Sequence, residues 1–151
     1  MHLRLLAVIS SVGLAALASA GPTSLEGTWK SLCLNAGEQD GKARSAVDTL
    51  RCSTTVCDSN VDFYWGTECK GALVNSNSNS MAYEIERPIG DDLYDIKVSL
   101  PADARFVCFS RIKLRSDKLY LAFPPVGDSD CSTPEDRTTT INEAEPLTKV
   151  Q

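Results

Sequence analysis

The sequence predicts an all-β fold, an antiparallel up-and-down β-barrel of about eight strands, and three observations point to it. Apolar residues recur at every second position over much of the chain, the period of strands buried on one face. No stretch sustains a helical apolar period, although 36–50 and 139–150 could hold a short helix. Clusters of turn-forming residues, Asn75-Ser76-Asn77-Ser78-Asn79-Ser80 and Pro88-Ile89-Gly90-Asp91-Asp92, read as short links between consecutive strands. A two-sheet β-sandwich is the competing all-β solution, because periodicity alone does not separate the two.

The strands follow in chain order. Residues 28–34 carry Trp29, residues 44–52 give a shorter pattern, and Val61, Phe63 and Trp65 alternate in the next strand. After a short candidate at 70–75, residues 81–87 set Met81, Tyr83 and Ile85 against Glu84 and Glu86. Residues 93–100 place Tyr94, Ile96, Val98 and Leu100 on one face, with Asp95, Lys97 and Ser99 on the other. Residues 105–115 oppose Phe106, Cys108, Ile112 and Leu114 to Arg105, Arg111, Lys113 and Arg115. Residues 118–123 present Leu119, Leu121 and Phe123, and Ser116-Asp117 before them is short enough for a hairpin turn.

Residues 1–20 read as a signal peptide: Arg4 supplies a basic start, Leu5 to Leu17 an apolar run, and Ala18-Ser19-Ala20 a small-residue cleavage site. The run is about half of the roughly 20 residues a spanning helix needs, and no later segment is long and apolar enough to span. Residues 21–151 then form a single β-barrel domain, with 124–151 an acidic C-terminal segment. The expected location is secreted or periplasmic. Cleavage would remove the only histidine, His2, which excludes Ser-His-Asp and Cys-His catalysis and any histidine-bearing zinc site. It would also remove one of 15 basic residues and none of the 20 acidic ones. That balance speaks against nucleic acid and anionic membranes as partners. Export favours disulfides for Cys33, Cys52, Cys57, Cys69, Cys108 and Cys131, none of which has the C-x2-C spacing of a metal site. Spacing does not choose among the possible pairings; the one favoured here is Cys33–Cys69 and Cys108–Cys131, with Cys52–Cys57 across a turn.

Several constellations invite sharper readings. Asp58-Ser59-Asn60-Val61-Asp62 opens like a calcium loop, but Phe63 stands where glycine must allow the turn and Cys69 where a bidentate glutamate belongs. A turn leading into a strand is the preferred reading. Asp128-Ser129-Asp130 offers oxygen ligands too, yet it lies in an acidic tail that solvation explains. No metal and no cofactor is therefore expected. Glu84, Glu86, Asp91 and Asp92 supply carboxylates in number only, without the facing pair glycoside hydrolysis needs. Arg111, Lys113, Arg115 and Lys118 form a basic face that cross-strand pairing with acidic neighbours accounts for.

The inward face remains. Phe63, Trp65, Tyr83, Tyr94, Ser110 and Phe123 stand among aliphatic residues, an apolar surface sparsely set with hydroxyls. That composition suits a pocket for a small apolar molecule, and equally a filled core. The expected role is non-catalytic binding of such a molecule. The alternative is an interaction or inhibitor protein acting through loops at 75–80 or 88–92, with no protein partner indicated.

Leu25-Glu26-Gly27-Thr28-Trp29 resembles the start of lipocalins, where a Gly-x-Trp triplet opens the first strand of an up-and-down barrel. The resemblance gives Gly27 and Trp29 structural roles. It implies a tryptophan plugging one barrel end under a basic side chain from the last strands, for which Arg111, Lys113 or Arg115 are available. The chain lacks the mid-chain Thr-Asp-Tyr motif of that family. It is also similar to an uncharacterised family of small exported bacterial proteins, in the Gly-x-Trp-Lys-Ser-x-Cys start at Gly27 to Cys33, in Cys69, in Leu119-Tyr120, and in Ser132 to Arg137. This second likeness implies a fold and an export route, not an activity.

Overall fold

The computed structural model describes residues 22, 24–122 and 130–150, so the expected leader lies outside the described residues. Nine strands form: β1 (Gly27–Lys30), β2 (Leu34–Gln39), β3 (Lys42–Cys52), β4 (Val56–Trp65), β5 (Leu73–Gly90), β6 (Leu93–Leu100), β7 (Asp103–Arg115), β8 (Lys118–Leu121) and β9 (Leu147–Val150). All pairings are antiparallel, in the order β1-β9-β8-β7-β6-β5-β4-β3, and β1 returns to pair with β3. Eight strands thus close into a barrel, and the ninth, β2, lies along the edge of β3 beyond β1. Among the described residues there is no helix, and none therefore long and apolar enough to cross a membrane.

Closure depends on strand offset. β5 is 18 residues long and lends its first half to β4 (Leu73 to Ala82) and its second half to β6 (Ala82 to Gly90). This stagger is the tilt that lets a small sheet curl onto itself. It also leaves β2, the start of β3, the end of β4 and the start of β5 projecting past the barrel as a sheet extension.

Three expectations about turns and helices need correction. Asn75 to Ser80 is no turn but part of β5, paired residue for residue with β4. Its alternation is polar on both faces. Asn75, Asn77 and Asn79 share a face with Phe63, Val61 and Ser59, while Ser76 and Ser78 share the other with Asp62 and Asn60. The outward hydroxyls are used: Ser76 donates to Asp62 at 2.5 Å and Ser78 to Asn60 at 2.8 Å. Turn-forming composition lost to a full set of ladder bonds. Residues 36–50 and 139–150 hold no helix; they carry β2 with β3, and β9. The linking turn expected at 88–92 narrows to Asp91-Asp92, because β5 continues through Gly90.

The disulfides are Cys33–Cys69, Cys52–Cys57 and Cys108–Cys131. The first ties the β1–β2 link to the β4–β5 link, the second closes the β3–β4 hairpin, and the third fastens the C-terminal segment to β7. That segment lies along β7: Phe109 N–H donates to the Cys131 carbonyl at 2.7 Å, and Thr138 N–H to the Phe109 carbonyl at 3.1 Å.

The core collects the inward row of each strand: Leu50 from β3, Tyr83 from β5, Ile96 from β6, Ile112 from β7, Leu119 from β8, and Leu147 from β9. Trp29, 2 % exposed, joins them from β1 and donates its indole N–H to the Leu25 carbonyl at 2.7 Å. Lys149, its direct partner on β9, lays its ammonium 5.2 Å from the indole centroid. The cation over Trp29 is therefore Lys149, and not Arg111, Lys113 or Arg115. Those three point outward into ion pairs with Asp95, Glu143 and Asp92. Gly27 makes the stack possible. A Cβ there would come within 2.7 Å of the Lys149 Cε, and its φ of +129° is one that side-chain-bearing residues rarely adopt.

Candidate functional site

Among the described residues, the inward side chains leave a cavity of about 530 Å3 inside the barrel. Leu25 and Leu50 border it from the first part of the chain, Met81 from β5, Ile96 and Val98 from β6, and Ile112 and Leu121 from β7 and β8. All but Leu25, which precedes β1, sit on the inward side of a half-buried strand, so most of the apolar wall follows directly from period-two alternation. Phe106, 42 % exposed, stands at the rim, and the Cys108–Cys131 bridge forms part of the same wall.

Five polar residues border this space: Asp48, Ser59, Tyr83, Ser110 and Arg111, the last with its guanidinium turned outward to Asp95. Tyr83 is buried, accepts from Leu25 N–H at 2.7 Å and donates to the Ser53 carbonyl at 2.8 Å. Burial raises its phenol pKa above the usual value of 10.0, against the hydrogen bonds that lower it. Ser110 donates to the Ala122 carbonyl at 3.1 Å. Arg111 sends its guanidinium to Asp95, with two bonds of 3.2 Å. Asp48 is half-buried on β3 and accepts from the Ser59 hydroxyl at 3.2 Å. Desolvation raises its pKa above the usual 3.8, opposed by the Ser59 bond and by a bond from its neighbouring backbone at Thr49.

The interior residues singled out from the sequence separate. Tyr83 and Ser110 line the cavity. Tyr94 is buried in the core cluster but does not border the open space. Phe63 and Trp65 do not reach the cavity, because β4 runs on into the sheet extension, where β6 does not follow. There Arg44 lies 5.5 Å from the Phe63 ring centroid and Lys42 lies 5.6 Å from that of Trp65. Phe123 lies outside the described residues. Sequence reasoning missed Asp48. The signal was present in the row Ala46, Asp48, Leu50, which puts the carboxylate on the same face as its apolar neighbours.

The other candidates resolve into paired or solvated groups. Asp58, Asn60 and Asp62 lie on the outer face of β4, within a strand and not in a turn before one. Asp62 accepts from Ser76 and Asn60, which holds its carboxyl below the usual range. Among the described residues no group of three or more His, Cys, Asp or Glu side chains is placed to hold a metal. Asp128 and Ser129 lie outside them. Glu86 is bonded to Arg137 at 2.7 Å and Asp92 to Arg115 at 3.2 Å, while Glu84 and Asp91 are exposed.

No family model matches the chain, and neither a curated protein nor a solved structure is found to match it.

Proposed function

We propose that the protein is an exported, lipocalin-like, non-catalytic carrier of a small apolar molecule, held inside the barrel. The observation that carries this reading is the 530 Å3 cavity, whose volume falls within the roughly 300–1,000 Å3 usual for small-molecule sites. Its wall has the character of such sites, largely aliphatic with few polar groups. A barrel of eight strands is about wide enough to hold one small ligand when its inward residues leave room. Trp29 on the first strand under Lys149 from the last supports the lipocalin likeness. Disulfides linking all six cysteines suit an oxidising, extracytoplasmic setting. The absence of catalysis is supported by the use already made of Tyr83 and Ser110, whose hydroxyls are bonded to backbone.

The test is titration of the oxidised protein with N-phenyl-1-naphthylamine, a neutral apolar fluorophore, against a variant whose cavity is filled. Val98→Trp adds an indole to the wall, and Met81→Trp does so from the neighbouring strand. Saturable enhancement in the wild type is expected, weakened about tenfold or more in either variant while thermal unfolding stays cooperative. Equal fluorophore affinity in wild type and in both folded variants would place the probe elsewhere and overturn the reading.

A further inference from the structure

Resting on the carrier reading, we infer that the cavity selects a cationic amine with an apolar body, whose ammonium pairs with Asp48. The inward position of Asp48 is the starting point. On β3 it stands between Ala46 and Leu50, opposite Val61 of β4; it borders the cavity, and its carboxylate accepts from Ser59, another residue of the wall. Among the described residues, the apolar wall therefore contains one acidic group.

What makes this group a recognition element is the commitment of every other polar side chain that the described residues place around the space. The Tyr83 hydroxyl both donates and accepts within the protein. Ser110 donates to backbone, and Arg111 is engaged with Asp95. Ser59 donates to Asp48 itself. An ionised carboxylate accepts at about four lone-pair sites, and here one side-chain donor serves it. None of the ion pairs among the described residues involves Asp48. A carboxylate facing an apolar space without a cation is costly to desolvate, and a bound ammonium relieves that cost with a charge-assisted hydrogen bond. The raised pKa of Asp48 reflects the same deficit from the protein's side. A ligand carboxylate would meet repulsion, and a hydroxyl could donate but not neutralise. The acidic surplus of the chain, 20 acidic against 15 basic residues, favours approach of cations in the same sense.

Decylamine, decan-1-ol and decanoate share a hydrocarbon and differ only in the head group, so they separate this inference from the reading beneath it. Each is titrated below its aggregation threshold, by calorimetry and by displacement of N-phenyl-1-naphthylamine. Wild type, Asp48→Asn and Asp58→Asn are compared; Asp58 lies on the outer face of β4 and controls for surface attraction. Decylamine is expected to bind about tenfold or more tighter than decan-1-ol, with decanoate weakest. Asp48→Asn should reduce the amine preference to about threefold or less and leave decan-1-ol unchanged, and Asp58→Asn should behave as wild type. Equal binding of amine and alcohol by the wild type would overturn the amine inference and leave the carrier reading standing. So would an amine preference that survives Asp48→Asn or disappears with Asp58→Asn. Failure of all three compounds and of the fluorophore to bind would remove the carrier reading, and the inference with it.

Discussion

Asp48 and Asp95 are both aspartates on barrel strands, and their surroundings give them opposite effects on stability. Asp95 is fully buried, and desolvation alone would raise its pKa. Arg87 at 3.0 Å, Arg111 at 3.2 Å and Arg137 at 3.6 Å outweigh that and hold it below 3.8. A depressed carboxyl stabilises the fold above its unfolded pKa, and that contribution is lost as pH falls through the lower folded value. Asp48, whose pKa is raised, favours the fold when protonated and disfavours it once ionised. Asp95→Asn is therefore expected to cost about 3 kcal/mol or more at neutral pH, because buried arginine charge loses its partner. It should also flatten the loss of stability below about pH 4. Asp48→Asn should be neutral or stabilising at neutral pH. Urea unfolding across pH 3 to 8 checks both, and a destabilised Asp48→Asn would contradict the assignment of its burial as an unfavourable one. Among the arginines, Arg137 should matter most, since its side chain is 9 % exposed against 70 % for Arg87.

Gly27 and Lys149 test the barrel's closed end in the same way. Lys149→Ala removes both the cation and the alkyl cover from Trp29, an expected loss of about 1–2 kcal/mol. Gly27→Ala adds backbone strain of about 1–3 kcal/mol at its positive φ, and a collision with the Lys149 stem. In the Lys149→Ala background the collision disappears and the strain remains. Gly27→Ala should then cost measurably less, a coupling that a double-mutant cycle of denaturant midpoints reads directly.

The strands and their links carry the disulfides unequally. Removing the Cys33–Cys69 bridge, with a sequence separation of 36, frees far more chain than removing Cys52–Cys57, with a separation of 5. Loop-closure entropy predicts losses of about 4 and about 2 kcal/mol for the paired Cys→Ser variants, with Cys108–Cys131 at about 3.5. Urea midpoints under identical conditions should follow that order. A larger loss for Cys52–Cys57 would mean that hairpin geometry outweighs chain entropy. Among the strands, β5 was the one least legible in advance. Tyr83 and Ile85 announced its second half, but Asn75 to Ser80 looked like a link because asparagine and serine favour turns. Only β4, offering Asp62 and Asn60 to the serine hydroxyls, makes that run a strand.

For the molecule as a whole, the stagger that closes the barrel also divides the inward aromatics between two places. β3, β4 and β5 outrun β6, which carries Phe63 and Trp65 onto the extension and leaves a cavity walled mainly by aliphatic side chains. The N-terminal residues preceding β1 complete the wall, with Leu25 bordering the cavity and bonded through its N–H to Tyr83. The fluorophore and decyl-chain titrations read cavity and charge, which are properties of the closed barrel and of no single strand.

Local pattern was enough to establish an all-β chain, the inward rows of β6, β7 and β8, and the hairpin at Ser116-Asp117. Those features depend on side-chain alternation and turn chemistry within a few residues. Strand offset, the partner of β1, the choice of Lys149 to cover Trp29, and the meeting of Asp48 with Ser59 on a cavity wall depend on contacts between residues distant in sequence. Alternation says which face a side chain takes, but the register between strands decides what it meets there.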